Sequence, residues 1–312
     1  MDRPLCLIVN PAAGNGRARA LLPRAVSALA SAGAEHRVVE SASLGHARDL
    51  AGEAAGRGDV VVAVGGDGMA GALAGVAATA GASYGLIPVG RGNDLATVLG
   101  IPADPEGAAR VLADGTARRV DLIAASTPGH PEVVVAGSVY AGIPAVAGEI
   151  ANATRLLSGS LVYPVAALRA LARWRPARFS VRIEGRAEPH DYEGYAVVVA
   201  NSPHFGAGMK VAPSALLDDG ELDLVLMRRA PKLTFVRALM KIKDGSHVEL
   251  PQISLDRGRD VTVTMSRDLP AAADGEPLAC AAPLAAGIPL RIRVLPAVLS
   301  VLVPRVLVPS ER

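Results

Sequence analysis

Aromatic residues are scarce: one Trp, five Tyr and three Phe, 3% of 312 residues. Half of the chain is nevertheless hydrophobic. A sizeable core is therefore available, and it must be built mostly from Ala, Val and Leu. Cysteine is equally scarce. Cys6 and Cys280 lie far apart in sequence, which makes neither a disulfide framework nor a zinc cluster. A reduced, cytoplasmic setting is the expectation. Lysine is rare, so the positive charge is nearly all Arg, the better multidentate partner for phosphate. Net charge is only +2, far from the bias of a nucleic-acid binder, and no nucleic-acid partner is expected. No apolar run reaches the ~18–20 residues of a spanning helix. The strongest candidate, residues 295–309, is interrupted by prolines and Arg305. The opening MDRPLCLIVN runs straight into a strand pattern without the apolar region of a signal peptide. The histidines show neither ligand nor triad spacing, which argues against a zinc site and a Ser-His-Asp hydrolase.

What is present is an alternation. Residues 5–9, 36–39, 59–64 and 84–89 read as buried strands, and helical patterns follow each. The first helix carries Ala18, Leu21, Leu22, Ala25, Val26 and Leu29 on one face. Residues 41–45 read as a loop, 46–55 as the second helix and 105–113 as the last helix of this half. Strands alternating with helices predict a mostly parallel sheet covered on both faces. Near residues 120–124 the texture changes. Residues 133–140, 179–183, 195–200, 222–227 and 261–265 read as strands mostly not separated by helices. Helical patches span 145–174, with a break near 158–160, and 232–242. An antiparallel, sandwich-like second domain is expected. An apolar, strand-like tail follows, at 290–294 and 298–308. No repeat or low-complexity linker separates the parts.

Three glycine-rich stretches stand at successive strand ends. Asn10-Pro11-Ala12-Ala13-Gly14 leads toward Gly16 and a helix, where backbone amides and the helix dipole suit a phosphate. An ordinary β–α turn is the alternative. Gly65-Gly66-Asp67-Gly68 is neither the dinucleotide fingerprint nor a P-loop, because no Gly-Lys-Ser/Thr follows. A lysine-free phosphate loop calls for another cation, usually magnesium, and Asp67 could face that metal or a ligand hydroxyl. Its alternative role is a turn or helix cap. At 90–94, Gly-Arg-Gly-Asn-Asp repeats the pattern, with Asn93 or Asp94 as a plain helix cap in the alternative. Three such loops at one sheet edge form a natural ligand site.

Two acidic stretches complete the set. Asp218, Asp219, Glu221 and Asp223 crowd six residues. This suits Mg²⁺ or Ca²⁺, or else an Asp-Asp-Gly turn entering a strand. Asp274 and Glu276, if extended, point to one side and could divide orientation from proton transfer. A solvated turn is the alternative. Residues 164–178 mix Arg169, Arg173, Arg175 and Arg178 with Trp174, as at a lipid headgroup surface or a packed helix with a charged end. Lys232, Arg237, Lys241, Lys243 and His247 form a second basic patch.

In this order the motifs resemble the bacterial diacylglycerol kinase catalytic family, lipid kinases related to sphingosine kinases. IVNPAAGNGRA is similar to the family's Asn-Pro-x-x-Gly loop, and VVAVGGDG to its Gly-Gly-Asp-Gly signature. GLIPVGRGNDLATVLGIP resembles its Gly-Thr-Gly-Asn-Asp stretch. The run from VVANSPHF to DDGELDLVLM and the later ADGEPL resemble its second-domain motifs. The likeness spans residues 5 to about 304. It implies an ATP-binding α/β domain over 1–122, a β-rich lipid and metal domain over 123–294, and a C-terminal strand, 295–312, returning to the first domain. ATP would lie on Asn10, Pro11, Ala12, Ala13, Gly14, Gly65, Gly66, Asp67, Gly68 and Met69, with Ser41, Arg91 and Asn93 contributing. Asp219 would bind Mg²⁺, with Leu216 and Glu221 as backbone ligands. Glu276 would accept the proton, beside Asp274. The substrate would be a lipid hydroxyl at the inner face of the membrane, reached by a peripheral protein. Homodimerisation is left open.

Four departures are plain. Met69 stands where the family has threonine, Gly71 and Ala72 where Asn-Glu is frequent, and Arg91 at another threonine position. Gly142-Ile143-Pro144 replaces a Gly-x-Asp. Arg91 would offset the losses by placing a fixed charge near the phosphates. Two other readings stay open: a kinase for a soluble alcohol, in the manner of NAD kinases, and a nucleotide- or lipid-sensing homologue without turnover.

Overall fold

The computed structural model describes residues 3–14, 16–90, 92–153, 162–206, 208–278 and 283–305. Arg91, Cys280 and the expected break near residues 158–160 lie outside them. The chain forms two compact units: Met1–Val120 together with the chain from Ala297 onward, and Asp121–Pro296. It passes from one to the other inside two strands, β5 (Thr116–Ser126) and β17 (Leu290–Val303).

The first unit alternates strictly. Its elements are β1 (Leu5–Val9), α1 (Arg17–Ser31), β2 (His36–Glu40), α2 (Leu44–Gly56), β3 (Val60–Gly65), α3 (Asp67–Thr79), β4 (Ser83–Pro88), α4 (Asp94–Val98) and α5 (Pro105–Asp114). The strands are parallel in the order β2-β1-β3-β4. The end of β17 adds beside β4, with Ser300 and Val301 opposite Ser83 and Tyr84. Every residue of β1 and β3 is buried, as a sheet covered on both faces requires. Ala18, Ala25 and Leu29 are the buried face of α1. Small residues let α3 pack closely, with Gly71, Leu73, Ala74, Gly75 and Ala77 all buried. Ser43 caps α2 by accepting the His46 N–H, so that helix begins two residues earlier than its sequence pattern suggests. The strand order reverses between β1 and β3. That switch point leaves a crevice at the carboxyl ends of both strands.

The second unit is antiparallel. It contains β6 (Val133–Val135), β7 (Ser138–Gly142), α6 (Ile143–Ala153), α7 (Val162–Arg173), β8 (Ala177–Ile183), β9 (His190–Ala200), the short pair β10 (His204–Phe205) and β11 (Met209–Lys210), β12 (Leu222–Arg228), α8 (Lys232–Lys241), β13 (Ile253–Gly258), β14 (Asp260–Met265), β15 (Ala271–Ala273) and β16 (Glu276–Pro277). Its centre is β9. Residues 190–194 of β9 pair with β8, and residues 196–200 pair with β7 and β12. Phe179 and Tyr192 stack at 5.3 Å in the core.

Two readings of the chain need correction, and two strands have no counterpart in the sequence pattern. Residues 133–140 are two strands, not one, because the Asp274 carboxylate takes the amides of Ala136, Gly137 and Ser138 out of the ladder. The tail is one strand that continues through Pro296, with Ala297 absorbing the bend at φ +49°. Strands β13 and β15 carry no sequence signal. The first sets Arg257 on the same face as Ile253 and Leu255, and the second is three alanines.

Candidate active site

In the first unit the three glycine-rich stretches converge. The Asn10 side chain accepts the Ala12 N–H at 3.0 Å and its carbonyl accepts the Ala13 N–H at 3.0 Å, closing a tight turn after β1. Gly14 has φ +62°, and a Cβ there would meet the Val89 carbonyl oxygen at 2.4 Å. The first loop therefore rests on the end of β4. Ser41 is buried, and its hydroxyl and N–H both donate to the Val9 carbonyl, at 3.0 and 2.8 Å. Its hydroxyl proton is thus engaged in joining the ends of β1 and β2.

The second loop is shorter than its sequence suggests. Only Gly66 is extended, while Asp67, Gly68 and Met69 form the first turn of α3. The first intrahelical bond runs from Ala70 to the Gly66 carbonyl. The three preceding amides have no intrahelical partner, and Gly66 offers no capping side chain. An uncapped helix start of this kind suits an anion. Met69 turns inward: it is 5% exposed and lies against Gly65.

Asp67 reaches across to the third loop. Its Oδ2 accepts the Asn93 N–H at 2.9 Å and its Oδ1 the Asp94 N–H at 2.6 Å. It therefore caps α4, a helix 26 residues further along the chain. Asn93 holds the left-handed conformation, φ +54°, and its Nδ2 donates to the Gly90 carbonyl at 3.3 Å. Its Oδ1 is buried without a hydrogen-bond partner. Gly66 and Gly90 touch through their backbones, so a Cβ on Gly90 would stand 2.6 Å from Gly66 Cα.

In the second unit, Asp274 and Gly275 have φ +44° and +90°. They form the tight turn between β15 and β16, of the kind that Asp-Gly favours. The pair Asp274 and Glu276 is therefore not an extended stretch with both carboxylates on one side. The Asp274 carboxylate lies among the amides of Ala136, Gly137 and Ser138, at 2.8–3.1 Å. The Gly275 N–H donates to the Tyr140 hydroxyl at 3.1 Å. Asp274 anchors the turn, while Glu276 is exposed. Asn201, unremarked in the sequence, is fully buried and binds the carbonyls of Asp121 and Ala136 at 2.8 and 3.1 Å. It fixes the strand ends on which Asp274 rests.

The acidic turn does not suit magnesium as it stands. Leu216 is exposed. Asp219 Oδ2 pairs with Arg257 Nη2, and its Oδ1 accepts the Glu221 N–H at 3.1 Å. Glu221 Oε2 is 3.0 Å from Arg257 Nη1. Magnesium needs oxygens at ~2.0–2.1 Å in octahedral array, and a guanidinium already holds these carboxylates. Among the described residues no group of three or more His, Cys, Asp or Glu side chains is arranged to hold a metal. Partial burial is the largest influence on Arg257 and works against its charge. The Asp219 hydrogen bond and the charges of Asp223, Asp219 and Glu221 together outweigh it and raise its pKa.

A cavity of about 830 Å³ opens beside α6 and α7 in the second unit, lined by Ile150, Arg169, Arg173, Trp174, Arg267 and Leu269 among others. Arg267 stacks on Trp174 at 4.8 Å and donates to the Arg175 carbonyl at 2.5 Å. Nearby, α8 buries none of its residues, and Leu233 and Met240 are exposed. No helix among the described residues is long and apolar enough to cross a membrane.

The first unit is thus a parallel α/β sheet with three glycine-rich loops gathered at its strand ends, and the second an antiparallel β structure bearing an exposed carboxylate on an anchored turn. Residues 4–125 match the diacylglycerol kinase catalytic domain, and residues 137–303 match the YegS C-terminal NAD kinase beta sandwich-like domain. The chain belongs to this family of bacterial lipid kinases. It is 29% identical over 308 residues to a diacylglycerol kinase of Mycobacterium tuberculosis, covering 96% of this chain and 94% of that one. A diacylglycerol kinase of Bacillus subtilis is 27% identical over 274 residues, covering 86% and 88%. Among solved structures, a diacylglycerol kinase of Bacillus anthracis superposes with TM-score 0.71 at 18% identity, over 97% of both chains.

Proposed function

We propose that the protein transfers the γ-phosphate of ATP to the hydroxyl of a lipid such as diacylglycerol. The observation that supports this reading most is the convergence of the three loops on the uncapped start of α3 at the switch point of the sheet. Amides in that position would take the phosphates of ATP. The orphaned Asn93 Oδ1 would accept a hydrogen bond from the nucleotide. Asp67 works as a positioning residue that holds α4 and the third loop in place. Magnesium would arrive with the nucleotide phosphates rather than in the acidic turn.

Glu276 is the proposed base. It takes the proton from the lipid hydroxyl as that oxygen forms a bond to the γ-phosphorus and the bond to ADP breaks. Asp274 fixes the turn that carries it. The lipid must be drawn from a membrane surface. The arginine-lined cavity and the exposed Leu233 and Met240 of α8 have the mixed apolar and cationic character of an interfacial surface, whereas Trp174 is packed in the core beneath Arg267.

The test is transfer of labelled phosphate from ATP to diacylglycerol in mixed micelles, with Glu276→Gln as the control. Transfer that the control abolishes is the expected result. A lipid-extract screen with product identification would reveal a different acceptor. Phosphorylation of NAD alone would favour the soluble-substrate reading. Tight ATP binding without turnover on any acceptor would favour the sensing one, to which the inward Met69 gives some weight.

A further inference from the structure

We infer that Arg257 takes the place of a divalent cation in the acidic turn, so that this turn is held by an arginine clasp and folds without metal. Asp223 and Arg257 face each other directly across β12 and β13. From there each guanidinium nitrogen meets its own carboxylate: Nε lies 3.4 Å from Asp223 Oδ2, Nη1 lies 3.0 Å from Glu221 Oε2, and Nη2 pairs with Asp219 Oδ2. A planar fork with a separate acceptor for each nitrogen suits arginine and not lysine.

Asp223 shows why a cation is required. It is 4% exposed. Its Oδ1 accepts the Ser214 hydroxyl at 2.6 Å, but its Oδ2 is buried with no hydrogen bond. Leaving that oxygen without a neighbouring positive charge would be costly. Two backbone groups of the turn are also met within the protein. The Gly220 N–H donates to Asp121 Oδ2 at 2.7 Å, and the Leu217 carbonyl accepts the Asp121 N–H at 2.6 Å. The Arg259 guanidinium approaches the position of a Gly220 Cβ to 4.0 Å.

The inference stands apart from the proposed reaction, because its test uses neither nucleotide nor lipid. The thermal midpoint of the whole chain is measured in EDTA and in millimolar MgCl₂ or CaCl₂, alongside calorimetric titration with each cation. The native chain is expected to shift by less than about 1 °C and to show no saturable binding. Arg257→Ala is expected to lower the midpoint by about 3–8 °C and to recover part of the loss when a divalent cation is added. Arg257→Lys, the milder change, should fall between the two and gain a smaller cation response. Saturable Mg²⁺ or Ca²⁺ binding to the native chain that Asp219→Asn abolishes would overturn the inference. So would Arg257→Ala and Arg257→Lys chains that neither lose stability nor respond to cations.

Discussion

The Asp67 carboxylate accepts the Asn93 N–H at 2.9 Å, joining the first turn of α3 to the left-handed cap of α4. With the Asp94 N–H on its other oxygen, it holds two loops in a fixed relation. Asp67→Ala removes both bonds and leaves two amides at a helix start without their acceptor. A stability loss of ~2 kcal/mol is expected, with weaker nucleotide binding because the third loop is released. Denaturant unfolding and a nucleotide titration on the same variant check the two effects. Stability and affinity both unchanged would show that Asp67 does not position the loops.

The contact between Gly66 and Gly90 makes a second prediction. A Cβ on Gly90 would stand 2.6 Å from Gly66 Cα and 2.9 Å from Asn93 Oδ1. The first neighbour is backbone and cannot turn aside. Gly90→Ala must therefore push the loops apart, at a cost of ~1–3 kcal/mol. ATP affinity should fall at least ~10-fold, since an amide site displaced by even part of an ångström no longer fits a phosphate. Gly52→Ala in the middle of α2, where a Cβ meets nothing within 4 Å, serves as the control and should leave affinity unchanged.

Asp274 and Glu276 should separate cleanly in experiment. Asp274→Ala orphans the amides of Ala136, Gly137 and Ser138, and a loss of ~2–4 kcal/mol is expected. Glu276→Gln changes an exposed side chain, so stability should stay within ~0.5 kcal/mol, while phosphate transfer to diacylglycerol should be lost. Gly137→Ala should resemble Asp274→Ala, because its Cβ would meet Asp274 Oδ1 at 2.6 Å. Full transfer activity in Glu276→Gln would remove it from the role of base.

The parallel unit was readable because its strands are buried on both faces and read as unbroken runs such as VVVAVG, which no surface strand could carry. The loops were readable for the same reason: glycines interrupt those runs abruptly at the sheet edge. What stayed hidden depends on partners distant in sequence. Nothing near Asp67 announces that its acceptor oxygens serve amides 26 and 27 residues later. Nothing near Asp219 points to Arg257, 38 residues on, in a strand that sets this arginine on the same face as Ile253 and Leu255. The turn at 274–275 is a different case. Asp-Gly is itself a signal for a tight hairpin, and the turn, one of the two readings open to this stretch, is the one the structure adopts.

His247 gives a prediction in pH. It is 1% exposed, its Nε2 lies 3.1 Å from the Val211 carbonyl, and its Nδ1 has no partner. Burial dominates and lowers its pKa below the ordinary 6.5. The Val211 hydrogen bond, the Asp244 charge and the neighbouring Gly245 backbone oppose that shift without reversing it. The folded state therefore keeps His247 neutral at a pH where the unfolded chain has begun to bind a proton. Wherever the unfolded chain binds more protons, stability rises with pH. His247 is thus without penalty above about pH 6.5 and destabilises the fold as pH falls from there toward its depressed folded pKa. Replacing it with Gln retains an amide donor for the Val211 carbonyl but removes the titration. Unfolding midpoints measured between pH 8 and pH 5 should fall less steeply for His247→Gln than for the native chain. Equal slopes would show that His247 is protonated as readily inside the protein as outside it.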